Sequence, residues 1–136
     1  MRAAVAAVVV ATACVEGPAA ESRAVPGGDA ALGRAALERY GCGACHLVPG
    51  VRAARGMTGP PLTDFAHRAY VAGALPNEPD ALVRWIMHPQ AVEPGTVMPD
   101  LGVSEADARH IAAYLYTLGG EPGPPRLLPV DWLEGN

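Results

Sequence analysis

Apolar side chains recur at helical spacing in three stretches, and nowhere do they alternate for long enough to announce a strand. In AALGRAALERY, residues 30 to 40, Leu32, Ala36, Leu37 and Tyr40 share a face, Asp29 stands at the N-cap position and Gly41 stops the helix. In PDALVRWIMH, residues 79 to 88, Pro79 suits a first turn whose N–H groups lack partners anyway, and Pro89 forbids continuation. From 105 to 118, Ser104 and Asp107 make an S-x-x-D cap, with Ile111, Ala112, Leu115 and Leu118 along one face. A shorter helix is expected near 64 to 72. The joins PGVRAARGMTGPP and PQAVEPGTVMP are punctuated by Gly and Pro and read as loops. The pattern predicts a single all-α domain over residues 29 to 119, without internal repeats.

The flanks differ in kind. Residues 1 to 13, MRAAVAAVVVATA, pair one arginine with an apolar run too short to span a bilayer, which suits a signal peptide and export. The run ends in ATAC, similar to a lipoprotein lipobox, so Cys14 is a candidate lipidation site and first mature residue. Residues 14 to 28 lack periodicity and read as a flexible linker with a reach of about 20 Å. The tail from 120 to 136 is rich in Pro and Gly, cannot continue a helix, and carries Leu127, Leu128, Trp132 and Leu133.

Composition supplies little for the helices to bury. Leu, Ile, Val and Phe make up only about a fifth of the chain, and 16 Gly with 14 Pro thin the core further. A domain of roughly 90 residues built this way is marginal unless a large bound cofactor fills its interior. The net charge of -4, the absence of lysine and the scattering of the ten arginines exclude a basic stripe, and with it nucleic-acid binding. After removal of residues 1 to 13 there are 9 arginines against 14 acids, or -5.

Two of the three cysteines lie in GCGACH, residues 41 to 46. A thioredoxin-like CxxC needs a preceding strand in a βαβ unit, and none is visible. Structural zinc needs a second ligand pair, whereas His67, His88 and His110 are dispersed. A disulfide leaves His46 unexplained. The remaining chemistry is covalent attachment of one haem c: Cys42 and Cys45 reach two vinyl groups on one porphyrin edge, and His46 turns under the ring to ligate iron. The sixth ligand separates electron transfer from gas or substrate chemistry, because saturated iron has no open position. Met87 lies mid-helix as core filling, and Met57 is only eleven residues past His46. Met98, 52 residues downstream between stiffening residues in EPGTVMPDLG, is assigned as that ligand.

With CGACH, then GPPL, then VMP ahead of a helix containing AYLYTL, residues 29 to 119 resemble the class I cytochrome c family. The stretch GPPLTDFAHRAYVAGALPNEPDALVRWIMHPQAVEPGTVMP is similar above all to the cytochrome c domain fused to subunit II of caa3-type oxidases. The resemblance implies a class I cytochrome c fold with three main helices and one haem. It also implies that the Pro60 carbonyl accepts the free N–H of His46, that Gly33 and Tyr114 meet where terminal helices cross, and that Arg68 and Trp85 approach the haem propionates. It departs from soluble members in lacking docking lysines, leaving Arg52, Arg55, Arg68 and Arg84 or an apolar face for that task.

The sequence thus predicts an exported, monomeric monohaem carrier, periplasmic or on the outer face of the cytoplasmic membrane, that shuttles single electrons and is not itself an enzyme. Its expected partners are a cytochrome oxidase, a quinol–cytochrome c reductase or a dehydrogenase, with possible lipid anchoring to the membrane. The alternative is a haem subunit of a periplasmic dehydrogenase or oxidase, and a third class, a gas sensor, requires a weak or missing sixth ligand.

Overall fold

The computed structural model describes residues 23 to 119. The expected signal, Cys14, the first part of the linker and the tail from 120 lie outside the described residues.

Helix α1 spans Ala30–Arg39, begun by the Asp29 carboxylate accepting the Leu32 N–H at 2.9 Å. Its buried face is Gly33, Ala36 and Leu37, while Leu32, expected on that face, is 54% exposed. The shift has a steric cause. The last helix, Glu105–Leu115, crosses α1 at Gly33, where a Cβ would strike the His110 carbonyl and stand 2.9 Å from the Tyr114 Cβ. Contact therefore pivots on position 33, and Leu32 falls to its solvent side. Gly33 and Tyr114 thus meet as the resemblance implied.

The final helix opens on the expected Ser104 cap, with Oγ accepting from the Asp107 N–H at 3.2 Å and donating to the Asp107 carboxylate at 2.9 Å. The same carboxylate accepts from Tyr40 at 2.8 Å and Arg39 at 2.6 Å, buckling α1 to this helix. The Tyr40 hydroxyl first, then Ser104 and Arg39, hold the Asp107 carboxyl below the usual range. Ala108, Ile111, Ala112 and Leu115 are buried; the helix ends at Leu115, earlier than the pattern suggested, and Leu118 lies half-buried in the following turn.

Between these helices, α2 spans Pro79–Met87 and buries Leu82, Val83 and Ile86. Pro89 stops it, as expected, and then opens a further short helix, α3, over Pro89–Val92. A proline that ends one helix is equally suited to the first turn of the next. The Glu105–Leu115 helix is α4.

The segment 64 to 72 is not a helix of that length. A 3-10 turn covers Phe65–His67, and an antiparallel pair follows, β1 (Tyr70–Val71) with β2 (Leu75–Pro76), Val71 facing Leu75 across a turn in which Ala72 and Gly73 have φ of 53° and 73°. The expectation of helices alone is corrected by this pair, since strands two residues long have no alternation to display. Asn77, 2% exposed, ties it down: its amide donates to the Phe65 and Arg68 carbonyls at 3.0 Å, and its oxygen accepts from Tyr116 at 3.0 Å. Burial pushes the Tyr116 hydroxyl up to about 12.

The last residues of the stretch read as linker also pack. Arg23 donates to the Ala66 carbonyl at 2.9 Å and lies 5.7 Å over the Tyr116 ring, and Val25 is buried. Among the described residues, no helix is long and apolar enough to cross a membrane.

Candidate cofactor site

Gly41, with φ of 69°, turns the chain out of α1 and into a 3-10 turn over Cys42–Ala44 that is closed by Cys45. Side chains three apart eclipse in such a turn, so Cys42 and Cys45 share one side of it. Both are free thiols and half-buried, and burial pushes the Cys42 thiol up. The main-chain N–H of His46 donates to the Cys42 carbonyl at 3.0 Å, bringing the imidazole round directly after the second thiol.

The imidazole is then held from two directions. Its Nδ1 donates to the Pro60 carbonyl at 2.8 Å, the bond that the resemblance implied. Gly59 lies flat against the ring, where a Cβ would stand 2.6 Å from Nδ1 and 2.9 Å from Nε2. The Gly59 N–H in turn donates to the Cys45 carbonyl at 2.8 Å and Gly56 N–H to the Gly43 carbonyl at 3.0 Å, lacing this segment to the cysteine turn. Because a carbonyl can only accept, Nδ1 carries the proton and the lone pair of the neutral ring is on Nε2. Nε2 makes no hydrogen bond among the described residues. Two thiols on one side of a turn, followed by an imidazole locked with its free nitrogen as a donor, form the set that a haem c requires, and the residues present fit that group.

Met98 lies on a different part of the chain, in the loop between α3 and α4, and is half-buried. No hydrogen bond among the described residues joins its loop to the cysteine turn. Met57 is 90% exposed, and Met87 packs against the core from α2. His110 Nδ1 accepts the Asp29 N–H at 2.9 Å, so that histidine is committed to the start of α1; His67 and His88 are exposed. No group of three or more His, Cys, Asp or Glu gathers into a metal-holding cluster among the described residues.

Arg68 and Trp85 were expected at the propionates. Arg68 donates to the Pro61 and Thr63 carbonyls and lies 5.3 Å over the Phe65 ring, bracing the segment that presents the Pro60 carbonyl, and Trp85 packs against the core. Sequence reasoning missed Gly59, whose part shows only once the ring is seen lying on it.

No family model matches the chain. Cytochrome c oxidase subunit 2 of Alkalihalophilus pseudofirmus (strain OF4) is 38% identical over 107 residues, covering 78% of this chain and 30% of that protein. Cytochrome c oxidase subunit 2 of Bacillus sp. (strain PS3) is 35% identical over 65 residues, covering 46% of this chain and 18% of that protein. The findings support a relation to that subunit. This chain spans less than a third of the length of either relative. The expectation that the chain is not an enzyme, although it could be a subunit of an oxidoreductase complex, is corrected here: both relatives are subunit 2 of cytochrome c oxidase, part of an enzyme complex.

Proposed function

We propose that residues 29 to 119 form a class I cytochrome c domain carrying one haem c, and that it is the electron-transfer module of a cytochrome oxidase of the subunit 2 type. Cys42 and Cys45 would hold the porphyrin, and His46 with Met98 would ligate iron. When bound, the haem supplies a one-electron iron couple. The protein's own contribution is positional. The cysteine turn fixes the attachment edge, and Pro60 with Gly59 fixes the ring of His46 while its donated proton raises the basicity of the ligating nitrogen. The single observation that carries the reading is the Nδ1 bond to Pro60 at 2.8 Å, which leaves Nε2 as the free donor directly after two adjacent thiols. The oxidase setting is supported by the two subunit 2 relatives, and export would place attachment outside the cytoplasm, with partners that hand electrons to an oxidase.

The chain expressed with a c-type maturation system should retain its haem under denaturing conditions, and Cys42→Ser with Cys45→Ser should abolish that retention. Ferrous wild type should resist carbon monoxide, whereas Met98→Ala should bind it and lower the midpoint potential. A colourless chain that folds normally refutes the cofactor; equal carbon monoxide binding by wild type and Met98→Ala refutes the sixth ligand.

A further inference from the structure

We infer that Gln90 is a positioning residue for Met98, clamping from α3 the loop that carries the thioether. The inference rests on the ligation of iron by Met98 proposed above and adds what holds that ligand in place.

The Gln90 amide nitrogen donates to the Thr96 carbonyl at 2.6 Å and to the Met98 carbonyl at 2.9 Å. A carboxamide nitrogen has two N–H groups, and both are used here. Flipping the amide would set its oxygen against two carbonyls, so only one orientation serves. The base of the clamp is firm, because Pro89, the residue before Gln90, is among the most deeply buried in the domain. The loop leaves α3 through bonds from the Glu93 N–H to the Pro89 carbonyl at 2.9 Å and from the Thr96 N–H to the Glu93 carbonyl at 3.0 Å. The Met98 N–H reaches the Thr96 hydroxyl at 3.4 Å. Both peptide groups of Met98 are therefore engaged, the N–H within its own loop and the carbonyl by Gln90 of α3. Val97 beside it is 85% exposed and supplies no anchor.

A methionine on a loose loop closes onto iron against the entropy of ordering that loop, and a clamp already in place removes part of that cost. Two hydrogen bonds from an exposed side chain, each in the lower half of the ordinary range, shift the closing equilibrium about fivefold to thirtyfold. Carbon monoxide competes for the position Met98 would occupy, so its apparent affinity rises by the same factor when the clamp is lost.

The test measures carbon monoxide affinity of the ferrous protein, and the far-red sulfur-to-iron band of the ferric protein, in wild type, Met98→Ala, Gln90→Ala and Gln90→Glu. Gln90 is exposed, so truncation opens no cavity, and Gln90→Glu keeps the shape while turning an oxygen toward both carbonyls. Both Gln90 variants should bind carbon monoxide about fivefold to thirtyfold more tightly than wild type, with a weakened band. If wild type resists carbon monoxide, Met98→Ala binds it and both Gln90 variants match wild type, the clamp is overturned while the ligand stands. If wild type already lacks the band and binds like Met98→Ala, both the ligand and the clamp fall.

Discussion

Replacing Gly59 by alanine tests the site at its tightest point. The added Cβ would stand 2.6 Å from Nδ1 of His46 and 2.9 Å from Nε2. Ordinary contact begins near 3.4 Å and the Cβ would strike Cε1 of the ring closer still, so the ring or the 59 to 62 segment must give by at least about 0.8 Å. The ring cannot tilt freely, because Nδ1 is bonded to the Pro60 carbonyl at 2.8 Å. A shift of that size stretches the bond past about 3.2 Å, where it no longer counts as one. The segment cannot retreat either, because the Gly59 N–H is bonded to the Cys45 carbonyl and the Leu62 N–H to the Leu47 carbonyl, both at 2.8 Å. Overpacking costs about 1 to 3 kcal/mol and the lost bond about 1 kcal/mol, so Gly59→Ala should destabilise by about 2 to 4 kcal/mol. At roughly 4 to 8 °C per kcal/mol for a domain of this size, Tm should fall by at least about 8 °C. Denaturant unfolding of the protein, with m unchanged, measures the loss; Pro60→Ala, which keeps the carbonyl, is the control and should cost far less. A Gly59→Ala protein as stable as wild type, with the Nδ1 proton still protected from exchange, would refute the two-sided grip on His46.

Gly33→Ala should destabilise by about 2 kcal/mol in urea titration, although alanine is the better helix former by about 1 kcal/mol, because its Cβ meets the His110 backbone where α1 and α4 cross. The Asp107 carboxyl is held low in the folded state by Tyr40, Ser104 and Arg39, so its stabilisation is full above the ordinary carboxylate range and is lost as pH falls through the lowered value. Asp107→Asn should therefore melt roughly a few degrees below wild type at pH 7, and the two melting curves should converge in acid; a gap that persists at low pH would show that the carboxylate charge is not what buckles α1 to α4.

What could be read from the sequence divides along a physical line. The caps at Asp29 and Ser104, the stop at Gly41 and the start at Pro79 are rules about neighbours in sequence, and each appears where the pattern put it. The cysteine turn belongs to the same class, since two thiols and an imidazole within five residues need no tertiary partner to be seen together. Groups whose partners lie far along the chain escaped. Leu32 has the right period for the core and is excluded by a helix arriving from residue 110, and Asn77 is an ordinary loop residue until three groups from elsewhere converge on it. Gln90 and Gly59 carry no local signal either, yet one holds the Met98 loop and the other backs the His46 ring. The motif names the atoms that would touch a cofactor, whereas their placement is set by backbone carbonyls and missing side chains that no motif records. A variant with CGACH and Met98 intact but Gly59 and Gln90 replaced would keep every residue the sequence picks out and lose the geometry that makes them a site.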